Sequence, residues 1–373
     1  MINDQDEQKI FDEAVKTESP DFEKNLNIAV VGKVSAGKSS LINAILGKTR
    51  KNAVAKVGST SGVTQDLAFY QLDEHTLIVD CPGLNDIKKA NSEVTKKFLE
   101  YIDIGLFVVT DSSDVSQRQD YEALRKECGK TIVVLNKIDM FPGEIAYQKA
   151  VEQWKIALGV NKIIGTSARA FDPDGEPKKD IIEGIEELQK EILDFLEKDG
   201  KNLLLQRHLK DKHKYAVGII SSAVAATALE AFIPGSAAYI TATQVVAITS
   251  LHYLYRGEVL SKATALSLVG SFSAETIGMT AFVWLKSFLP PTGIVDIAAA
   301  GVAMVITFAM LASVKWVLEN DYSLEDKSKL KEMFAYFKNV GGELKNSLKN
   351  ISLDDIKNNK DLFFDMILNL LRR

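Results

Sequence analysis

The chain has 373 residues, more than one ordinary domain holds, and a folded-protein composition of 46% hydrophobic and 25% charged residues with only 8 prolines. Its formal net charge of −5 argues against the global basic field of a protein devoted to nucleic acid, so no nucleic-acid partner is expected. The two cysteines, Cys81 and Cys128, sit in no CxxC pair or His/Cys cluster, which argues against a disulfide framework and structural zinc and fits a reducing, cytoplasmic setting.

Residues 3–16 read as a short acidic amphipathic helix with Ile10, Phe11 and Val15 on one side. It belongs to an N-terminal extension over residues 1–24 whose acidic, polar start is unlike a signal peptide. Leu26 to Val31 is an apolar run of strand length that ends at Gly32. Gly32-Lys33-Val34-Ser35-Ala36-Gly37-Lys38-Ser39 then fits G-x-x-x-x-G-K-[ST], followed by a predicted helix with Leu41, Ile42, Ile45 and Leu46 apolar. In that setting the backbone from Gly32 to Ser40 curls so that its N–H groups face phosphates, and the helix adds the positive end of its dipole. Lys38 is placed to neutralise β- and γ-phosphate charge, and the Ser39 hydroxyl to ligate Mg2+.

Further apolar runs follow at 67–72, 77–80, 104–109, 131–135 and 162–165, several of them separated by charged stretches of helical period. This alternation predicts a doubly wound, mostly parallel α/β sheet over residues 25–199. A closing helix is expected over Lys179–Lys198, with Ile181, Ile182, Ile185, Leu188, Ile192 and Leu196 on one stripe. Asp80-Cys81-Pro82-Gly83 ends one apolar run: the Asp80 carboxylate can hold Mg2+ through water, and the Gly83 N–H can sense the γ-phosphate. Asn136-Lys137-Ile138-Asp139 ends another, and Asp139 can accept hydrogen bonds from N1–H and the exocyclic amine of guanine, a donor pair that adenine lacks. Thr166-Ser167-Ala168 comes last, with Ser167 and Ala168 expected to give backbone contacts to the base oxygen.

These four motifs, in this order, resemble the P-loop GTPases of the broad group that contains Era-like, septin-like and dynamin-like proteins. The resemblance implies binding of GTP and GDP, Mg2+ as cofactor, and hydrolysis of GTP to GDP and phosphate. Gly62-Val63-Thr64-Gln65-Asp66 is similar to the G-V-T-x-D segment of Era-like members, which makes Thr64 the γ-phosphate and Mg2+ sensor, with Thr60 as second choice. The catalytic set implied is Lys38, Ser35, Thr64 and Gly83, and the metal set Ser39, Thr64 and Asp80. Ser35 stands where Era-like members usually have the asparagine associated with potassium-stimulated hydrolysis, so potassium dependence is in doubt. Leu84 stands where Ras-like members place the glutamine that orients water. Intrinsic turnover is therefore expected to be slow, with catalytic help from a partner or from a nucleotide-dependent homodimer.

Beyond residue 200 the character changes. From Tyr215 to Leu318 only eight residues are charged: Glu230, Arg256, Glu258, Lys262, Glu275, Lys286, Asp296 and Lys315. A basic helical stretch, Leu203–Lys214, leads into four apolar segments broken at Pro234-Gly235, Arg256-Gly257 and Pro290-Pro291, which predict two helical hairpins in a domain over 200–320 and an amphipathic tail over 321–373. Ile233 to Ala237, Gln244, Tyr255 to Gly257 and Leu289 to Gly293 resemble in pattern the YcjF-like domain that follows some bacterial GTPase domains. The layout is similar to bacterial dynamin-like and immunity-related GTPases. Ile297–Val314 is an uncharged stretch of 18 residues, near spanning length, worth roughly −3 kcal/mol of insertion. Ser236–Tyr255 contains Gln244 and His252, and Ala263–Leu285 carries Glu275 at its middle. Two readings stand at this point: association with the inner face of a membrane, which is the expectation, and a soluble bundle whose central helices are apolar all round. The function expected is a GTPase whose nucleotide state controls this helical domain. The alternatives are a soluble assembly GTPase acting on ribosomes, RNA or a protein complex, and a transport-coupled GTPase.

Overall fold

The computed structural model describes residues 4–48, 52–55, 68–81, 101–111, 115–168, 182–233, 235–274, 294–347 and 360–372. The chain divides into two compact units, residues 21–210 and residues 1–20 together with 211–373.

The 21–210 unit is a sheet with helices. Its strands are β1 (Leu26–Val31), β2 (Ala68–Gln71), β3 (Thr76–Cys81), β4 (Ile102–Val109), β5 (Cys128–Asn136), β6 (Ile164–Ala168) and β7 (Ile182–Glu183), in the order β2-β3-β1-β4-β5-β6-β7. β3, β1, β4, β5 and β6 run parallel, while β2 and β7 lie antiparallel at the two edges. Every residue of β1 and β3 is buried, as strands covered on both faces require. Its helices include α2 (Lys38–Ile45), α3 (Val115–Glu127), α4 (Glu144–Leu158) and α5 (Ile185–Lys198). On one face Phe107, Tyr121, Leu135 and Trp154 form a buried core, with the Phe107 and Tyr121 rings edge to face at 5.4 Å. The chain leaves β1 for β3 on one side and then crosses to β4 on the other. The topological switch therefore lies beside the carboxyl end of β1, where open α/β sheets bind ligands.

The closing helix is shorter than its apolar stripe predicts. Gly184 has φ 69°, and a Cβ there would meet the Gly165 carbonyl oxygen at 1.8 Å. The backbone must turn at this point, so Ile182 and Glu183 pair with β6 instead, and Ile182 is left 42% exposed. Ile185, Leu188, Ile192 and Leu196 keep the buried stripe; Ile181 lies outside the described residues.

The basic stretch 203–214 is likewise not one helix. It comprises α6 (Asn202–Gln206), a turn, and the start of α7 (Lys212–Glu230). Asp211 caps α7 by accepting from the Lys214 N–H at 3.1 Å. The turn is tied to the sheet unit: His208 Nε2 lies 2.7 Å and Arg207 3.2 Å from Asp73, on the β2–β3 connection. Burial opposes the Asp73 charge, but His208, the His75 N–H and Arg207 outweigh it and hold the carboxyl well below its ordinary range. Lys201 pairs with Asp103 at 2.5 Å.

The other unit is helical: α1 (Asp4–Glu18), α7, α8 (Ser236–Arg256), α9 (Lys262–Ala274), α10 (Ile294–Glu319), α11 (Lys327–Ser347) and α12 (Lys360–Leu371). Glu275 and the Pro290-Pro291 break lie outside the described residues. α10 is the core, packed by α7, α8 and α11, with Phe308 edge to face against Phe337 at 6.1 Å. The polar Gln244 in α8 is accommodated by donating to Thr307 of α10 at 2.9 Å. Lys315 is buried and held by Glu319 at 2.5 Å. Among the described residues one helix is long and apolar enough to cross a membrane, Ala298–Glu319, and 89% of its most apolar window is buried inside the unit.

Candidate functional site

Three strand ends meet at the carboxyl edge of the sheet. Val31 is level with Cys81 on one side and Phe107 on the other, and Asn136 is level with Thr166. The Gly32–Ser39 loop after β1 and the Ile138–Met140 turn after β5 continue from these ends at one edge.

Gly32 opens the loop where it crosses β4: a Cβ there would stand 2.2 Å from the Val108 carbonyl oxygen, so only glycine allows the approach. The loop then tightens through Ala36 N–H donating to Lys33 O at 3.1 Å, with Ser35 at φ 66° and Gly37 at φ 83° before α2 begins. Positive φ at Ser35, a residue with a Cβ, is local strain that the surrounding contacts hold. Lys33 and Val34 lie on the exposed outer side of the loop, and Ser40 is half-buried in the first turn of α2.

Lys38 is buried, and its ammonium donates to the carbonyls of Gly32 at 3.0 Å and Lys33 at 3.2 Å. It also stands 3.7 Å from Asp80 Oδ1. The Ser39 hydroxyl donates to Asp80 Oδ2 at 2.6 Å. Burial raises the Asp80 carboxyl above its ordinary range, against the Lys38 charge and the Ser39 hydrogen bond. Asp80 Oδ1 is buried with no hydrogen-bond partner. Burying a carboxylate oxygen with nothing to satisfy it costs energy. A carboxylate and a hydroxyl in contact can supply two of the oxygen ligands that a hard divalent cation takes, and the orphaned oxygen fits one.

At the neighbouring strand ends Asn136 ties the pieces together. Its amide donates to Ala36 O at 2.9 Å, and its carbonyl oxygen accepts from the Thr166 hydroxyl at 3.0 Å. Lys137 follows with φ 63° and leads into a single 3-10 turn, Ile138–Met140, which presents Asp139 at the surface. Asp139 Oδ1 accepts from the Ser167 hydroxyl at 2.9 Å, and Ser167 and Ala168 are buried at the end of β6. Lys38, Ser39, Asp80, Asn136, Asp139 and Ser167 are thus brought to one edge. Thr60, Gly62 to Asp66 with Thr64, and Pro82, Gly83 and Leu84 lie outside the described residues.

Two residues escape a motif reading. The Thr166 side chain, not only its backbone, links β6 to Asn136. Asn43, fully buried on α2, donates to Ala55 O at 2.7 Å and accepts from the N–H groups of Val54 at 2.9 Å and Ala55 at 3.0 Å. The signal for it was an asparagine among Leu41, Ile42, Ile45 and Leu46, since a polar side chain there must find buried partners.

Residues 27–137 match the family described as 50S ribosome-binding GTPase. The tRNA modification GTPase MnmE of Carboxydothermus hydrogenoformans is 27% identical over 210 residues, 53% of this chain and 42% of that protein. The probable GTP-binding protein EngB of Bdellovibrio bacteriovorus is 33% identical over 157 residues, 39% of this chain and 76% of EngB. The chain therefore spans 42% of this MnmE's length, and 43% of that of the GTPase Der of Desulforudis audaxviator, which is 32% identical over 195 residues. A solved structure of Aquifex aeolicus Era bound to GDP.AlF4- is 24% identical, covers 46% of this chain and 57% of that one, and superposes with a TM-score of 0.31.

Proposed function

This chain belongs to the P-loop GTPase family of the Era, Der, EngB and MnmE type, and from that premise we propose that it binds GTP with Mg2+ and hydrolyses it to GDP and phosphate. The observation that carries the proposal is the buried contact of Lys38, Ser39 and Asp80, with one carboxylate oxygen unsatisfied. Lys38, which donates to the loop's own carbonyls, turns its ammonium to the β- and γ-phosphates, and the backbone from Gly32 to Ser40 donates to the same oxygens. Asp139 accepts from the guanine edge while the Ser167 hydroxyl fixes its orientation. Ser39 and Asp80, with Thr64, would hold Mg2+, which supplies charge neutralisation for the phosphates. Thr64 and Gly83 are assigned to the γ-phosphate side, and Ser35 to the β–γ bridging region. Leucine at 84 orients no water, so that task falls to a partner or to a second copy of the chain in a nucleotide-dependent homodimer.

Phosphate release from GTP over a range of Mg2+ concentrations tests the site. Ser39→Ala is expected to raise the Mg2+ needed for half-maximal turnover about tenfold, the worth of one hydrogen bond to a charged group. An unchanged Mg2+ requirement would remove Ser39 from the metal set.

The helical unit is proposed to be the element that nucleotide state controls, in the cytoplasm. The likeness of its pattern to YcjF-like domains, and of the layout to dynamin-like GTPases, belongs to this proposal. Burial of α10 favours a bundle, and the family described as ribosome-binding and the relative named for tRNA modification support action on a macromolecular assembly. The length and apolarity of Ala298–Glu319 support a second reading, attachment to the inner face of a membrane. One substitution separates them. Ile306 is buried in α10, so Ile306→Lys places an unpaired charge in the bundle core, at a cost of about 4 kcal/mol. The expected outcome is unfolding of the helical unit, seen as lost helical circular dichroism, with GTP binding retained. Wild-type protein that floats with liposomes, and an Ile306→Lys variant that stays folded but no longer floats, would establish the membrane reading instead.

A further inference from the structure

The helical unit contains a pair of carboxyl groups that GTP chemistry does not use. Glu230, the last residue of α7, is 9% exposed. Its Oε1 lies 2.6 Å from the Thr243 hydroxyl of α8, and its Oε2 is buried without a hydrogen-bond partner. The same hydroxyl lies 3.2 Å from Oε2 of Glu18, at the end of α1. A threonine hydroxyl has one proton and can donate to one carboxylate only. With both glutamates ionised, one of them would face the lone pairs of the Thr243 oxygen, and the buried Glu230 charge would lie beside a second negative charge. One extra proton resolves this: protonated Glu230 donates to Thr243, and Thr243 donates to the Glu18 carboxylate.

We propose that this shared proton along Glu230, Thr243 and Glu18 fastens α1 to the helical unit, so that docking of α1 is coupled to pH. The remainder of the interface is compatible. Phe11 and Ala14 of α1 are buried, α1 packs on α8, and Lys262 of α9 pairs with Asp12 while lying 4.6 Å over the Phe11 ring. The charge acting on Glu230 is that of Glu18. On α8, Tyr239 is half-buried one turn before Thr243, whereas His252 and Arg256 sit toward the far end, roughly 13 and 20 Å along the helix at 1.5 Å per residue. α10 meets α7 through Glu319 at His213, roughly 25 Å from Glu230 along α7, and Lys315 is held by Glu319. Asp361 and Asp365 of α12, and Arg372 just after it, face solvent.

Burial, with the Glu18 charge and against the Thr243 hydrogen bond, pushes the Glu230 carboxyl up to about 7. Once α1 leaves, Glu230 is freed toward its ordinary value of 4.5, so docking takes up a proton. The sign follows from linkage: docking is strongest below the lower value, weakens as pH rises toward the upper one, and levels off above it.

Hydrogen exchange on the full chain, read as protection factors for the α1 amides so that the intrinsic pH dependence of exchange is removed, tests this. Protection is expected to fall at least about tenfold between pH 5 and pH 7, then level off. Glu230→Gln, neutral at every pH, should keep only the smaller fall set by Glu18, whose carboxyl burial also raises against the Thr243 hydrogen bond. Glu18→Gln, at the exposed end of α1, removes the facing charge and should give a smaller fall that ends at a lower pH. Flat wild-type protection overturns the proposal. So does a Glu230→Gln or Glu18→Gln variant that follows the wild-type profile.

Discussion

Asp139→Asn is expected to reverse base preference, from GTP to XTP, by about a hundredfold. Asp139 stands exposed on its 3-10 turn with one oxygen held by the Ser167 hydroxyl. An asparagine keeps that acceptor but turns an amide toward the base, where guanine presents two donors. Each hydrogen bond to a charged group is worth about 1.5–3 kcal/mol, so losing both costs about 3 kcal/mol or more. That corresponds to roughly two orders of magnitude in affinity. Xanthine has a carbonyl oxygen at C2, which the new amide can satisfy. Displacement of a fluorescent nucleotide by GTP and by XTP measures both sides of the exchange. A variant that still prefers GTP would show that Asp139 does not read the base.

Lys38→Ala should have the largest effect on affinity itself. The ammonium is a charge-assisted donor to phosphate oxygens and also the counter-charge of buried Asp80. Losing two such phosphate contacts costs about 4 kcal/mol, roughly a thousandfold in GTP affinity. Without Lys38, burial raises the Asp80 carboxyl further and favours its neutral form, which is a poorer metal ligand. The variant should therefore also lose the dependence of GTP binding on Mg2+. Fluorescent-GTP titration with and without Mg2+ reads both effects, and circular dichroism checks that the fold persists. Affinity within threefold of wild type would separate Lys38 from the phosphates.

What the sequence discloses about this site is what is local. Gly32 to Ser39 and Asn136 to Asp139 are runs whose backbone needs and side-chain chemistry are written in consecutive residues, flanked by apolar runs of strand length. The parallel sheet is legible for the same reason, because each strand covered on both faces reads as an uninterrupted apolar run. Ile182 misleads because its spacing fits the stripe of α5, and only the approach of Gly184 to Gly165 shows that the helix cannot begin before it. The side-chain partners of Asn43 and Thr166 are not legible, because Ala55 and Asn136 are 12 and 30 residues distant. α10 is ambiguous in principle: a core helix and a membrane span bury the same side chains, and composition does not record against what.

The helical unit is assembled from both sides of the sheet unit in sequence, with α1 before it and the other helices after it. On the ribosome this imposes an order. The hydroxyl that meets Glu18 is 225 residues further on, roughly 10 to 45 seconds of elongation at 5–20 residues per second. Throughout that interval α1 lacks the helices it packs on, with Phe11 open to water or to other chains. The sheet unit, contiguous over 21–210, can fold while α1 waits. Closure of the helical unit then brings together segments of high sequence separation, the slow kind of folding step. A tag or fusion ahead of α1 would be carried through that step, whereas one on the β2–β3 connection would not.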